Sequence, residues 1–211
     1  MEYEYKYFSL GMMVLFISFL GFVLENMWLA ATRGYMDNRN MRFPFLLGYG
    51  VLVVGMYLLI GTPQEIVLFG KWYLEGDGRC FYYLMATVIV SLCELILGTL
   101  VEHIFGFEYW NYEWIPCHLS KYTSLPTSLG FATIITLFME YVFPCAMRVF
   151  SKQDSLMTRV FGMLVFIACL MDFISSFRKM YLRHGPNERW RIERSLEEGT
   201  CRIEIQHRNP L

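Results

Sequence analysis

Charge is scarce in this chain. Asp, Glu, Lys and Arg make up 18% of its 211 residues, against about 25% in soluble proteins, and the net charge is -1. No basic field is left to attract nucleic acid or acidic substrates. The six cysteines contain no CxxC pair. With several of them inside apolar runs, they read as small hydrophobes, not as a disulfide framework or a structural zinc site. A P-loop, a GxGxxG turn, an HExxH pair and a GxSxG elbow are all missing, so no catalytic residue, cofactor or metal is assigned. The N-terminal MEYEYKYFSL has no basic n-region, and no small-residue cleavage site follows, so the first hydrophobic segment is expected to be retained.

Apolar residues are abundant: 55% of the chain is hydrophobic and 18% aromatic, with a mean hydropathy of +0.37. This is a membrane composition. A spanning helix needs roughly 20 mainly apolar residues, because the hydrocarbon core is about 30 Å thick. Five segments are expected to span, at about 8–31, 43–61, 80–104, 122–144 and 160–177. The chain therefore reads as an all-α, polytopic integral membrane bundle over 1–177, followed by a charged cytoplasmic tail over 178–211. Within that tail, ERWRIERSLEE has the spacing of a short amphipathic helix, and a solvated terminus is the competing expectation.

Five crossings put the termini on opposite faces. Six basic residues fall on the face with the N-terminus and twelve on the other, so the positive-inside rule sets the N-terminus outside and the C-terminus in the cytoplasm of the cell membrane. The connection Glu65 to Leu74 is rich in aromatic and aliphatic residues and suits either a segment in the outer interface or a loop packed on the helix ends. The stretch FGFEYWNYEWIP suits an aromatic belt on the inner side.

Ionisable residues inside spans are costly, roughly 2.5 to 3.5 kcal/mol each on insertion scales, and mark a polar interior, a partner or a pathway. Glu25, Glu94, Glu102 and Asp172 all fall in the inner half when the spans are followed in order, whereas Glu140 falls near the opposite face. Glu94, Gly98 and Glu102 share one helical stripe, with the carboxylates about 12 Å apart along the axis. That separation is too large for a shared-proton dyad. Gly98 leaves room for another helix, and Arg33, Arg39 or Arg42 from the first inner loop is expected to balance the acids. The residues support both a structural ion-pair network and a hydrophilic site for a substrate, ion or proton. His103, Cys117 and His118 offer metal ligands without a spacing that sets a geometry.

Three blocks carry a family resemblance. SFLGFVLE at 18–25, NRNMRFPFLLGYG at 38–50 and ELILGTLVEHIFGFEYWNY at 94–112 resemble the bacterial ABC-transporter type IV, or CmpB-like, membrane permeases. The resemblance covers about residues 15 to 147 and implies that Glu25, Pro44, Tyr49, Gly50, Glu94, Gly98, Glu102, Gly106, Trp110 and Tyr112 belong to the family's core. It also implies a separate ATPase subunit. The family's Asp between Trp and Tyr is Asn111 here, and positions similar to its following Asn and Gly are His118 and Lys121.

The expected function is thus a permease-like transport component with a polar site for substrate or ion in the cytoplasmic half, formed by Glu25, Arg39, Arg42, Tyr49, Glu94, Glu102, Trp110, Tyr112 and His118. Its expected partners are the lipid bilayer, an ATPase and, compatibly, further copies of the chain. A non-transporting scaffold or regulator and a membrane-embedded enzyme acting on lipid are the alternatives.

Overall fold

The computed structural model describes residues 7–197 and 200–207. Five helices dominate it: α1 (Tyr7–Arg33), α2 (Leu47–Ile60), α3 (Arg79–Phe105), α4 (Leu125–Lys152) and α5 (Leu156–Arg183). The chain is an all-α multi-pass membrane protein, and α1, α3, α4 and α5 are long and apolar enough to cross a bilayer. The segment expected to span at 43–61 forms the shorter apolar helix α2 of 14 residues, about 21 Å long at 1.5 Å per residue. The start of the expected span, from Phe43 through Leu46, is irregular.

Local chemistry sets the ends. Gly106 closes α3 in the left-handed region at φ 73°, a conformation glycine adopts without a Cβ penalty. Ser124 caps α4 by accepting from the Thr127 N–H, with a proline in the first turn, and Ser155 and Thr158 form a capping box at the start of α5. Each satisfies N–H groups that a helix start leaves without a partner.

Two compact units divide the chain. The first contains residues 1–10 and 52–154. In it α3 packs on α4, the hairpin β2 (Val67–Leu68) and β3 (Trp72–Tyr73) follows α2, and the hairpin β4 (His118–Ser120) and β5 (Thr123–Ser124) precedes α4. Phe69, Trp72 and Tyr73 of the first hairpin are exposed. A π turn over Phe138–Val142 interrupts α4, and its cause lies in the sequence. Pro144 has no N–H to give the Glu140 carbonyl, so that carbonyl accepts from Gln64 Nε2 at 2.7 Å, while the Phe143 N–H reaches back to Phe138. The Glu140 side chain, 8% exposed, pairs with Arg79 Nε at 2.8 Å. The acid that stood apart from the others therefore ties the start of α3 to the middle of α4.

The second unit contains residues 11–51 and 155–211. Leu15, Leu47 and Cys169 form a small core flanked by Phe45, Phe166 and Phe173. α2 enters against α1, where a Cβ on Gly50 would collide with the Val14 carbonyl and the Ser18 hydroxyl. Asp172 accepts the backbone N–H groups of Arg42 and Phe43, both at 2.8 Å, so this intramembrane acid is satisfied by the turn that leads into α2.

The tail departs from both sequence expectations. Residues placed on an amphipathic helix form strand β6 (Trp190–Glu197), which pairs antiparallel with β7 (Thr200–His207) and with β1 (Tyr35–Asp37). Buried asparagines fix this arrangement. Asn38 Nδ2 donates to the Asn187 carbonyl at 3.1 Å, Asn38 Oδ1 accepts from the Arg189 N–H at 2.8 Å, and Asn187 Nδ2 donates to the Asn40 carbonyl at 3.0 Å. Arg191 lies over the Tyr35 ring at 3.7 Å. Helical spacing in the tail is overridden by a docking strand more than 150 residues away, a partner that local periodicity cannot report.

Replacing Arg79 with Ala strands the Glu140 carboxylate. The loss should be about 2 kcal/mol, between the values for exposed and buried pairs, because Arg79 is itself half exposed. Arg79→Ala should therefore unfold earlier in detergent, and Arg79→Ala with Glu140→Leu should recover most of the loss.

Candidate functional site

The carboxylates resolve into two constellations, one in each unit. In the first unit the last three turns of α3 carry Glu94, Gly98 and Glu102 on one stripe. The segment that folds back over this stripe is Ser120–Ser128. Glu94 Oε2 accepts from Thr123 Oγ1 at 3.0 Å and from Ser128 Oγ at 3.4 Å; both hydroxyl residues are buried. They sit at the N-terminus of α4, whose positive dipole end favours a carboxylate.

Two turns further, Glu102 divides its oxygens. Oε2 accepts from the Tyr122 hydroxyl and Oε1 from Lys121 Nζ, each at 2.5 Å. Lys121 also reaches Glu108 at 3.1 Å and lies 5.2 Å from the Tyr122 ring centre. The Tyr122 ring fills the notch left by Gly98: a Cβ there would collide with its Cβ, Cγ and Cδ1. The close approach expected of another helix at Gly98 is thus made by a tyrosine. Trp110 Nε1 donates to the Tyr122 carbonyl at 2.8 Å with its ring edge-on to the tyrosine, and the Tyr112 N–H donates to the Lys121 carbonyl at 2.8 Å. These two aromatics brace the Lys121–Tyr122 turn from behind.

The second unit repeats the device. Glu25 lies four residues after Gly21 on α1, as Glu102 lies four after Gly98. The Tyr49 ring packs on Gly21, where a Cβ would stand 2.6 Å from its Cγ. Its hydroxyl donates to Glu25 Oε1 at 2.6 Å, and Arg39 Nε meets Glu25 Oε2 at 3.0 Å. Arg39 adopts a left-handed backbone at φ 46°, and its side chain is 8% exposed, with Asp37 3.7 Å from its other arm. In both units, then, glycine makes the notch, tyrosine lies in it and caps one carboxylate oxygen, and a cation from a loop takes the other.

Of the residues expected to share a site, Glu25, Arg39 and Tyr49 come together in the second unit; Glu94, Glu102, Trp110 and Tyr112 do so in the first. Two contribute differently. Arg42 is exposed and offers its backbone N–H to Asp172, and His118 is exposed with Nδ1 against the Ile115 carbonyl at 3.2 Å. The expected balance of Glu102 by an arginine from the first loop is corrected: Lys121 supplies that charge, and Arg39 pairs with Glu25. Sequence reasoning also missed Tyr122, Thr123, Ser128 and Glu108. A signal was present, since Gly-x-x-x-Glu occurs in two of the apolar spans.

Hydrogen bonding sets the charge state of the loop. The bond to Glu102, followed by that to Glu108, holds the Lys121 ammonium above its ordinary range. Asn111 and then Lys121 hold the Glu108 carboxyl below the usual carboxylate range. Among the described residues, no group of three or more His, Cys, Asp or Glu is disposed to hold a metal ion.

The family model described as putative ABC-transporter type IV matches residues 12–177. The chain belongs to that family. No curated protein and no solved structure matches it. Both constellations lie inside the matched region, as do the two Gly-x-x-x-Glu segments that carry them.

Two expectations follow. Gly21→Ala and Gly98→Ala should each destabilise the chain by about 1–2 kcal/mol, since crowding costs about 1–3 kcal/mol and improved helix propensity returns at most about 1. Gly130→Ala, in open space on α4, should be neutral or stabilising in the same unfolding assay. The depressed Glu108 group gives a contribution that is present at neutral pH and lost as the pH falls through its lowered folded value. Amide exchange over residues 108–122, corrected for intrinsic rates, should stay constant around neutrality and rise only below the ordinary carboxylate range.

Proposed function

We propose that the chain is the permease-like component of a membrane transport system, with its polar site on the last three turns of α3. Glu94 and Glu102 bind or gate a polar or cationic species there, and Lys121 balances Glu102. The carrying observation is that two carboxylates in a predominantly apolar 27-residue helix are held by hydroxyls and an ammonium from one returning segment. Intramembrane acids are costly enough that such placement marks a pathway or binding site. The chain has no P-loop, so the nucleotide-driven transport implied by the family requires an ATPase on another polypeptide. The excess of basic residues on one face supports a cytoplasmic C-terminus in the cell membrane, with α2 and its flanks completing a crossing.

A second reading is a non-transporting scaffold or regulator. It is supported by the same contacts, because Glu102 is engaged by Tyr122 and Lys121 in a way that also fixes the loop to the helix.

Reconstitution separates the two. The tagged chain, purified from its own membrane with any accompanying ATPase, is placed in liposomes, and currents are recorded on jumps of ammonium, methylammonium, guanidinium and potassium, with and without ATP. Wild-type protein should give a cation-dependent current. Glu94→Gln and Glu102→Gln should reduce it at least about tenfold, the equivalent of one charge-assisted contact. Correctly folded variants with unchanged currents would remove the acids from the mechanism, and silence from wild type under every condition would favour the scaffold.

A further inference from the structure

The Lys121 ammonium in one unit and the Arg39 guanidinium in the other occupy corresponding positions. In both, the tyrosine takes one oxygen of the carboxylate and leaves the other to a cation. The chain delivers that cation by different routes: Arg39 precedes Tyr49 by ten residues, whereas Lys121 is the immediate neighbour of Tyr122. Backbone spacing therefore does not set the cation's position. The tyrosine-capped carboxylate does, and it accepts either a guanidinium or an ammonium.

The two positions differ in how firmly they are filled. Arg39 is almost enclosed, and its guanidinium stays charged at all accessible pH values. Lys121 and Glu102 are 32% and 38% exposed, and Glu108 is 40% exposed. The lysine sits on a tight turn at the end of a flexible four-carbon stem. Around its ammonium are one carboxylate oxygen from each of two glutamates and the face of a tyrosine. Such a set satisfies N–H donors and the charge together. The ammonium position is thus partly exposed and is filled from the end of a flexible stem.

We propose that Glu102, Glu108 and Tyr122 bind the primary ammonium group of an amine ligand, and that Lys121 is a tethered occupant displaced when the ligand enters. The proposal rests on Glu102 belonging to the polar site and names the class of ligand that site takes. A small free amine and a lipid headgroup both carry such an ammonium, and the recognition chemistry is the same. A tether supplies its group at an effective concentration in the millimolar range or above. Removing it should therefore unmask binding that the wild-type chain shows only weakly.

The test is ethylammonium titrated against the full chain in nanodiscs of phosphatidylcholine, which has no N–H donor, at constant ionic strength with potassium as the control. Lys121→Ala should be stabilised against heat by ethylammonium at concentrations at least about tenfold lower than wild type, as expected when an internal competitor is removed. Tetramethylammonium should not substitute, and Lys121→Ala with Glu102→Gln should lose the response. Nanodiscs containing phosphatidylethanolamine should stabilise Lys121→Ala without added amine if a headgroup is the source; stabilisation by ethylammonium alone assigns a free amine. If Lys121→Ala does not fold, wild type is read directly by amide exchange over residues 107–122, which should rise with ethylammonium as Lys121 is released. No ethylammonium-specific response in either chain, or a response that survives Glu102→Gln, overturns the proposal. Binding without amine-dependent current would leave the ammonium site in place and remove the transport reading, whereas current without binding would do the reverse.

Discussion

A carboxylate on an apolar helix has to be neutralised by something the helix itself does not contain, and this requirement organises the chain. Each acid that interrupts a hydrophobic segment draws a particular loop onto that segment. Glu25 holds the first loop through Arg39 and Tyr49, and Asp172 holds the turn before α2 through two backbone N–H groups. Glu94 and Glu102 hold the turn before α4, and the Glu140 carboxylate is met by Arg79 at the start of α3. Removing one partner from such a pair costs more than the pair contributes, because the remaining charge stays out of water. The loops are therefore fixed by the penalty for leaving, more than by attraction alone.

Hydrogen-bond arithmetic explains why tyrosine recurs. An ionised carboxylate accepts on two oxygens, and Arg39 and Lys121 each meet one of them. A phenol on a ring that can lie flat in a glycine notch reaches the other while covering the helix surface with apolar atoms. Glycine is required at Gly21 and Gly98 for this reason and not for backbone freedom, since both are ordinary helical residues. Serine or threonine does the corresponding work at Glu94, where the start of α4 adds its dipole.

Much of this was legible in the sequence. Long uncharged runs gave the number and order of the apolar helices, because hydrocarbon thickness translates directly into residue count. The expensive positions Glu25, Glu94, Glu102 and Asp172 could be named because insertion cost depends on residue type alone. Tyr49, Trp110 and Tyr112 were identified through a family pattern, and the match over residues 12–177 places the chain in that family. What could not be read was which partner meets which acid. Lys121 was one of several loop cations with the same charge and similar reach, and its choice over the arginines of the first loop depends on where the β4–β5 turn folds. The strand in the tail is not legible locally for a related reason: β6 owes its conformation to Tyr35–Asp37 and to Asn38 and Asn40, far away in the chain.

By itself, the sequence determined that this protein lives in a bilayer, where its long apolar helices lie and which residues would be costly there, since transfer free energies are properties of single residues. Tertiary structure alone decided how those costs are met: the tyrosine in each glycine notch, the lysine on Glu102, the hydroxyls on Glu94 and the strand made from a charged tail. Those are pairings between distant residues, and their energies depend on distances of about 3 Å that residue type and spacing do not fix.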